Sequence, residues 1–202
     1  MIQRLYNSHM VRTYWAFLEL LWPQQRVPLA KTTRLSVRCF NEVQYLLSYQ
    51  DQTIQTLIKR TKYQADHTAA AQLATYLDRY IESLEVACGV LPMPISYQRW
   101  RGRGYNHIEL ICQYSMYTDQ VHTDILTKNR HTKQQTQVTR NERIKQQCGT
   151  FGCNKAYCHT LPHTVILLDD VVTTGATMQA AKAALQPHLP AGSKLLCVAI
   201  AH

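Results

Sequence analysis

The sequence predicts an α/β fold, a parallel sheet flanked by helices, and three observations carry that prediction. Apolar runs of strand length, near Val86–Leu91, Val165–Leu168 and Lys194–Ala201, alternate with helical stretches along most of the chain. The run Val165–Leu168 ends in two adjacent carboxylates, Asp169 and Asp170, and open α/β sheets place their ligands at strand carboxyl ends. A loop of hydroxyl-bearing and small residues, Thr173-Thr174-Gly175-Ala176-Thr177, then runs into strong helix-forming sequence from Met178 to Leu185.

The elements follow in chain order. Residues 1–50 read as a basic, aromatic N-terminal extension, and residues 51–202 as the α/β domain. Within the extension, Tyr14–Trp22 forms an apolar-aromatic cluster, suited to packing on the main domain or to touching a partner or a membrane surface. Helices are expected over Gln52–Arg60 and Thr68–Ser83, then a strand near Val86–Leu91 that Pro92 and Pro94 keep from continuing as helix. A glycine-containing loop with Arg99, Arg101 and Arg103 precedes a helix from Tyr105 to Tyr117 and a strand near His122–Leu126. Leu126 to Gly149 is polar and lacks an apolar stripe until Ile144, which marks a lid or an irregular excursion. The strand ending at Asp169-Asp170, its helix, and a last strand Lys194–Ala201 complete the alternation. Strands separated by helices imply parallel pairing with right-handed crossovers.

The chemistry concentrates after Leu168. Two neighbouring carboxylates repel each other and are tolerated where hydroxyls, a cation or solvent satisfy them. Small side chains in Thr173 to Thr177 let the backbone approach a ligand, and the following helix start offers free N–H groups and a positive dipole end to an anion. The order suits a sugar phosphate: acids for ribose hydroxyls, then a cradle for phosphate. The alternative is a plain strand–loop–helix connection in which these residues only cap the helix. Neither GxxxxGK[ST] nor GxGxxG occurs in the chain. Arg99, Arg101 and Arg103 form either a pyrophosphate clamp, since guanidinium groups grip phosphate oxygens bidentately, or an ordinary solvated basic loop.

The stretch LLDDVVTTGAT resembles the phosphoribosyl-pyrophosphate (PRPP) signature of type I phosphoribosyltransferases. The resemblance implies that Asp169 and Asp170 hold the ribose hydroxyls and that Thr173, Thr174, Gly175, Ala176 and Thr177 hold the 5′-phosphate. Leu91–Leu110 is similar to the "PVP…RxRGFNQAEL" stretch of ComF-type (GntX-like) proteins, the competence-associated branch. Thr132, Gln135, Arg140, Arg143 and Gly149–Phe151 resemble that branch's "T..Q…LSRxERxxNLxGAF" segment, and Leu57–Tyr63 fits its "LIxxLKY" helix. The matches run in order over most of residues 54–202.

That family implies a phosphoribosyltransferase-like sheet, PRPP carried with Mg²⁺, and transfer of the pentosyl group to an acceptor. It also implies a role in natural competence and DNA uptake, with single-stranded DNA or competence-machinery proteins as partners. The arginines at 99–103 would contact pyrophosphate, and the polar segment would be the flexible catalytic loop that excludes water. Arg140 and Arg143 would contact substrate on closure, although Arg140 also suits a helix cap. No residue stands out as general base, so the acceptor is not legible. Two rivals remain: PRPP or nucleotide sensing or DNA handling without turnover, and a phosphate-ester hydrolase, for which no further carboxylate or histidine constellation is evident. Many ComF-type proteins begin with a four-cysteine zinc ribbon. Here only Cys39 precedes Cys88, so no ribbon is expected.

Composition sets limits on these readings. The 202 residues carry a net charge of +9, concentrated in two places: nine basic against three acidic residues over 1–62, and nine against four over 99–145. Such patches suit polyanionic partners. No run of about twenty apolar residues exists, so no membrane span is expected, and a cytoplasmic location follows. Seven cysteines without a CxxC pair read as free thiols. Cys148, Cys153 and Cys158, five apart, do not match zinc-ligand spacing, so no side-chain metal site is expected.

Overall fold

A computed structural model describes residues 35–129 and 150–202. Its centre is a five-stranded sheet of β1 (Arg38–Phe40), β2 (Val43–Leu47), β3 (Cys88–Pro92), β6 (Thr164–Val171) and β7 (Lys194–Ala201), ordered β1-β2-β7-β6-β3. Four strands run parallel, and only β1 is antiparallel, to β2. Helices α1 (Gln52–Gln64), α2 (His67–Leu84) and α4 (His107–Gln113) cover one face. The other face packs against α6 (Ala176–Leu185), the short α5 (Lys155–Cys158) and a separate ribbon of β4 (Leu126–Lys128) with β5 (Phe151–Cys153). Helix α3 (Tyr97–Arg103) buries none of its residues. This mixed α/β architecture, with a parallel-rich sheet flanked by helices, matches the expected class and is consistent with a phosphoribosyltransferase-like fold.

Local chemistry explains the boundaries. Asp51 caps α1 by accepting from Thr53 N–H (2.8 Å), and Ala65, in the left-handed region, ends it. Asp66 caps α2 from a buried position and pairs with Arg60 of α1, so one carboxylate starts one helix and pins it to the other. Strand β6 is hydrophobic on both sides, as a central parallel strand must be: Val165 and Leu167 enter one core, Ile166 and Leu168 the other.

Three expectations are corrected. The extension drawn over residues 1–50 contributes β1 and β2, so the sheet begins upstream of residue 51. Val43, Leu46 and Leu47 are buried, and Gln44, Tyr45 and Leu47 pair with β7 across more than 150 residues of sequence. The arginine loop is helix α3, because Ser96 caps it and Gly104 (φ 78°) lets the chain leave. The strand near His122–Leu126 reduces to an isolated bridge at Val121 and to β4, which pairs with β5 outside the main sheet. Residues 1–34, including the Tyr14–Trp22 cluster, and most of the polar segment lie outside the described residues.

Candidate functional site

Asp169 and Asp170 occupy the carboxyl end of β6, paired with β7 through Asp169↔Ala199 and Val171↔Ala201. Strand alternation sends consecutive side chains to opposite faces, so the two acids do not share a pocket wall. Asp170 falls on the α1/α4 face. Its Oδ2 lies 2.5 Å from Lys62 Nζ of α1 and 3.1 Å from His107 Nε2 of α4. Asp169 falls on the ribbon side and accepts from the Asp170 backbone N–H through Oδ1 (2.9 Å).

The electrostatics separate the pair. Burial, reinforced by the negative charge of Asp170, pushes Asp169 up to about 7. Burial also acts to raise Asp170, but His107 and the Lys62 ammonium outweigh it and hold that carboxyl below its ordinary value. Burial lowers His107, opposed by Asp170 and helped by the charges of Lys62 and Arg103. The ring is buried, and neither of its nitrogens has an aligned hydrogen-bond partner. His107 and Lys62 together keep Asp170 ionised.

The phosphate-type loop has the features that sequence pointed to. Gly175 adopts φ 76°, ψ −6°, so the glycine meets a conformational requirement, while a Cβ there would stand in ordinary contact with the Asn41 Cβ at 3.4 Å. The N-cap residue of α6, Gly175, has no side chain to cap it. Its ladder opens with Gln179 N–H donating to Gly175 O, and Thr174 Oγ1 accepts from Ala176 N–H at 3.4 Å. Thr173, Thr174 and Thr177 are exposed. The β1–β2 hairpin holds this loop. Its two-residue turn, Asn41-Glu42, has positive φ at both positions (47° and 63°). Asn41 Nδ2 donates to Thr174 O (3.1 Å), Gln179 Nε2 donates to Asn41 O (3.2 Å), and Lys182 pairs with Glu42 at 3.0 Å.

The three arginines are not equivalent. Arg99 and Arg103, four apart, share a side of α3, and Arg101 lies on another. The Arg103 guanidinium sits 5.0 Å from the Tyr63 ring centroid, and its buried Nη1 has no hydrogen-bond partner. Arg99 acts on Lys128 of β4, whose ammonium is held below its usual value by burial and by Arg99, against an opposing pull from Asp169. Basic groups thus stand on both sides: Lys62 beside Asp170, with Arg103 acting on the neighbouring His107, and Lys128, near Arg99, toward Asp169. Arg140 and Arg143 fall outside the described residues.

A cavity of about 510 Å³ opens beside the strand ends. Asp170, Val171, Val172 and Thr173 form one wall, with Lys59, Lys62 and Tyr63 of α1, Tyr49 and His202 around them. Sequence reasoning passed over Asn41, Lys62 and His107. Lys62 stands in the LIKRTKY helix motif, and His107 directly follows Asn106, the cap of α4, so both were marked by motif but not by role. No group of three or more metal-ligating side chains occurs among the described residues, and no helix among them is long and apolar enough to cross a membrane.

No family model matches the chain. It is similar to the competence protein ComFC of Streptococcus pneumoniae, 26% identical over 136 residues, which is 67% of this chain and 58% of that protein. The chain therefore spans less than two thirds of the relative's length. This similarity supports a ComF-like family for the chain.

Proposed function

We propose that the protein is a cytoplasmic ComF-like phosphoribosyltransferase-fold protein that binds PRPP with Mg²⁺ in natural competence and transfers the pentosyl group to an acceptor. The observation that carries the reading is the cavity at the end of β6, where signature residues Asp170 to Thr173 meet the lysines and tyrosines of α1 and its neighbours. Its volume lies in the range of small-ligand sites.

Each group has a task in that reading. Asp170, kept ionised by His107 and Lys62, accepts from a ribose hydroxyl. Thr173 to Thr177 and the N-terminal N–H groups of α6 receive the 5′-phosphate. Arg99 and Arg103 neutralise the diphosphate as the C1–O bond breaks and the acceptor bonds to C1. The donor set fits a Mg²⁺ that arrives on the substrate's phosphates, because two carboxylates do not make a protein cage. That ion would supply further charge neutralisation at the leaving group.

Helix α3 favours a second reading, single-stranded DNA handling. It carries three arginines beside Tyr97 and Trp100, whose rings stack 15° apart in plane and are 48% and 50% exposed. Exposed rings interleaved with guanidinium groups suit unstacked bases.

Calorimetric titration with PRPP and Mg²⁺ separates these readings when run on the parent chain and on Asp169→Ala/Asp170→Ala. Heat lost in the double variant is the expected result, and silence in the parent protein ends both transfer and sensing. Binding without pyrophosphate release, across a panel of bases and amines, selects the non-catalytic reading. A salt-dependent shift of single-stranded DNA that survives the double substitution assigns DNA to the basic surface.

A further inference from the structure

Two thiols outside the site lie closer together than packing requires. Cys153 ends β5 and Cys158 ends α5, and their Sγ atoms are 3.0 Å apart. A disulfide needs about 2.04 Å, so roughly 1 Å of approach separates contact from bond. The intervening turn is already anchored: Asn154 N–H donates to Ile125 O (2.7 Å), and the Cys158 thiol lies 3.6 Å from Asn154 O. Cys153 is partly exposed, whereas Cys158 is 1% exposed within the core. An oxidant therefore meets Cys153 first and Cys158 behind it, the arrangement of an attacking and a resolving thiol.

We propose that Cys153 and Cys158 are a dithiol site that closes to an intramolecular disulfide by exchange with a small-molecule disulfide. The Cys153 thiolate attacks one sulfur of the small disulfide and expels one small thiol. Cys158 then attacks the Cys153 sulfur of the mixed disulfide, forms the Cys153–Cys158 bond and expels the second. Two protein thiols are oxidised, one small disulfide is reduced to two small thiols, and the two protons given up by the protein thiols end on them. Burial, with Cys158 beside it, pushes Cys153 up to about 12, so exchange accelerates as pH rises. The bond ties β5 to α5 behind the ribbon that bears Lys128, and so acts on the wall facing Asp169 without using any group of the proposed PRPP site.

Lys155 lies between the two cysteines, so trypsin separates them and only a disulfide keeps their peptides together. The full chain is incubated with oxidised glutathione at mildly alkaline pH, alkylated, digested without reductant and examined by mass spectrometry. Cys148 shares the tryptic peptide of Cys153, so the same digest is run on Cys148→Ser and Cys153→Ser. The expected result is a linked pair beginning at Gln146 and Ala156, present in the parent and in Cys148→Ser, absent from Cys153→Ser, and released by dithiothreitol. A linked pair lost in Cys148→Ser, or glutathione left on Cys153 with no linked pair, overturns the proposal. The Cys148→Ser result stands whether or not Cys153→Ser folds.

Discussion

Replacing Lys62 by Met tests whether Asp170 is held by a cation or merely tolerated. The Asp170 side chain is 8% exposed and the Lys62 side chain 22%, with 2.5 Å between Nζ and Oδ2. Removing one partner of a fully buried pair costs about 3–5 kcal/mol, and the partial exposure of Lys62 brings the expectation for Lys62→Met to about 2–3 kcal/mol. Asp170→Asn is the milder change, at about 1 kcal/mol, because the freed ammonium reaches water on its flexible stem. The penalty also depends on pH. A carboxyl with a depressed folded pKa contributes stability above its unfolded value and loses it as pH falls through the folded value. The loss in Lys62→Met is therefore full near neutrality and shrinks once Asp170 takes up a proton in the variant. Urea unfolding of the parent, both single variants and the double variant, near neutral pH and near the ordinary aspartate pKa, measures each term. Equal costs for the two singles, a penalty unchanged by pH, or a coupling below about 0.5 kcal/mol would refute the reasoning.

Three further outcomes follow from the same geometry. Gly175→Ala places a Cβ at φ 76° and 3.4 Å from Asn41, so urea unfolding shows a loss of about 1–2 kcal/mol, and PRPP titration weakens as the loop shifts. Asp169 sits above its unfolded value of 3.8, at about 7, so its contribution is fully present at low pH and is lost as pH rises through that window. Asp169→Asn accordingly gains urea midpoint relative to the parent between those limits, and a parallel pH dependence of the two proteins would contradict the assignment. Leu167→Ala, at a fully buried position in the central strand, costs about 2–5 kcal/mol by denaturant unfolding without changing the m-value.

Elements whose cause is local were legible in the sequence. Lys194–Ala201 coincides with β7, α1 starts at Gln52 as expected behind the Asp51 cap and runs on to Gln64, and α2, β3 and α6 differ from expectation only at their ends. Elements whose cause is distant were not. Val43–Leu47 is a strand because β7 offers an open edge, a fact carried by residues far down the chain. Helix α3 has no apolar stripe for periodicity to detect, and Gly102 inside it argues for loop. It forms because both ends are capped. Among candidate site residues, Asp169, Asp170 and the loop to Thr177 were found because they are contiguous. Lys62 and His107 required the fold, since 45 residues of sequence separate them and Asp170 lies further still.

Adjacency in sequence also misled about function in one respect. Asp169 and Asp170 read as twin ligands, but strand alternation gives them different neighbours and therefore different proton affinities. Asp170 has Lys62 and stays an acceptor. Asp169 has its own backbone bond and a like charge next to it, and titrates near neutrality. In the proposed reading, a phosphate drawn toward Arg99 and Lys128 would bring negative charge to Asp169 and hold its proton, whereas an accompanying dication would draw that proton away.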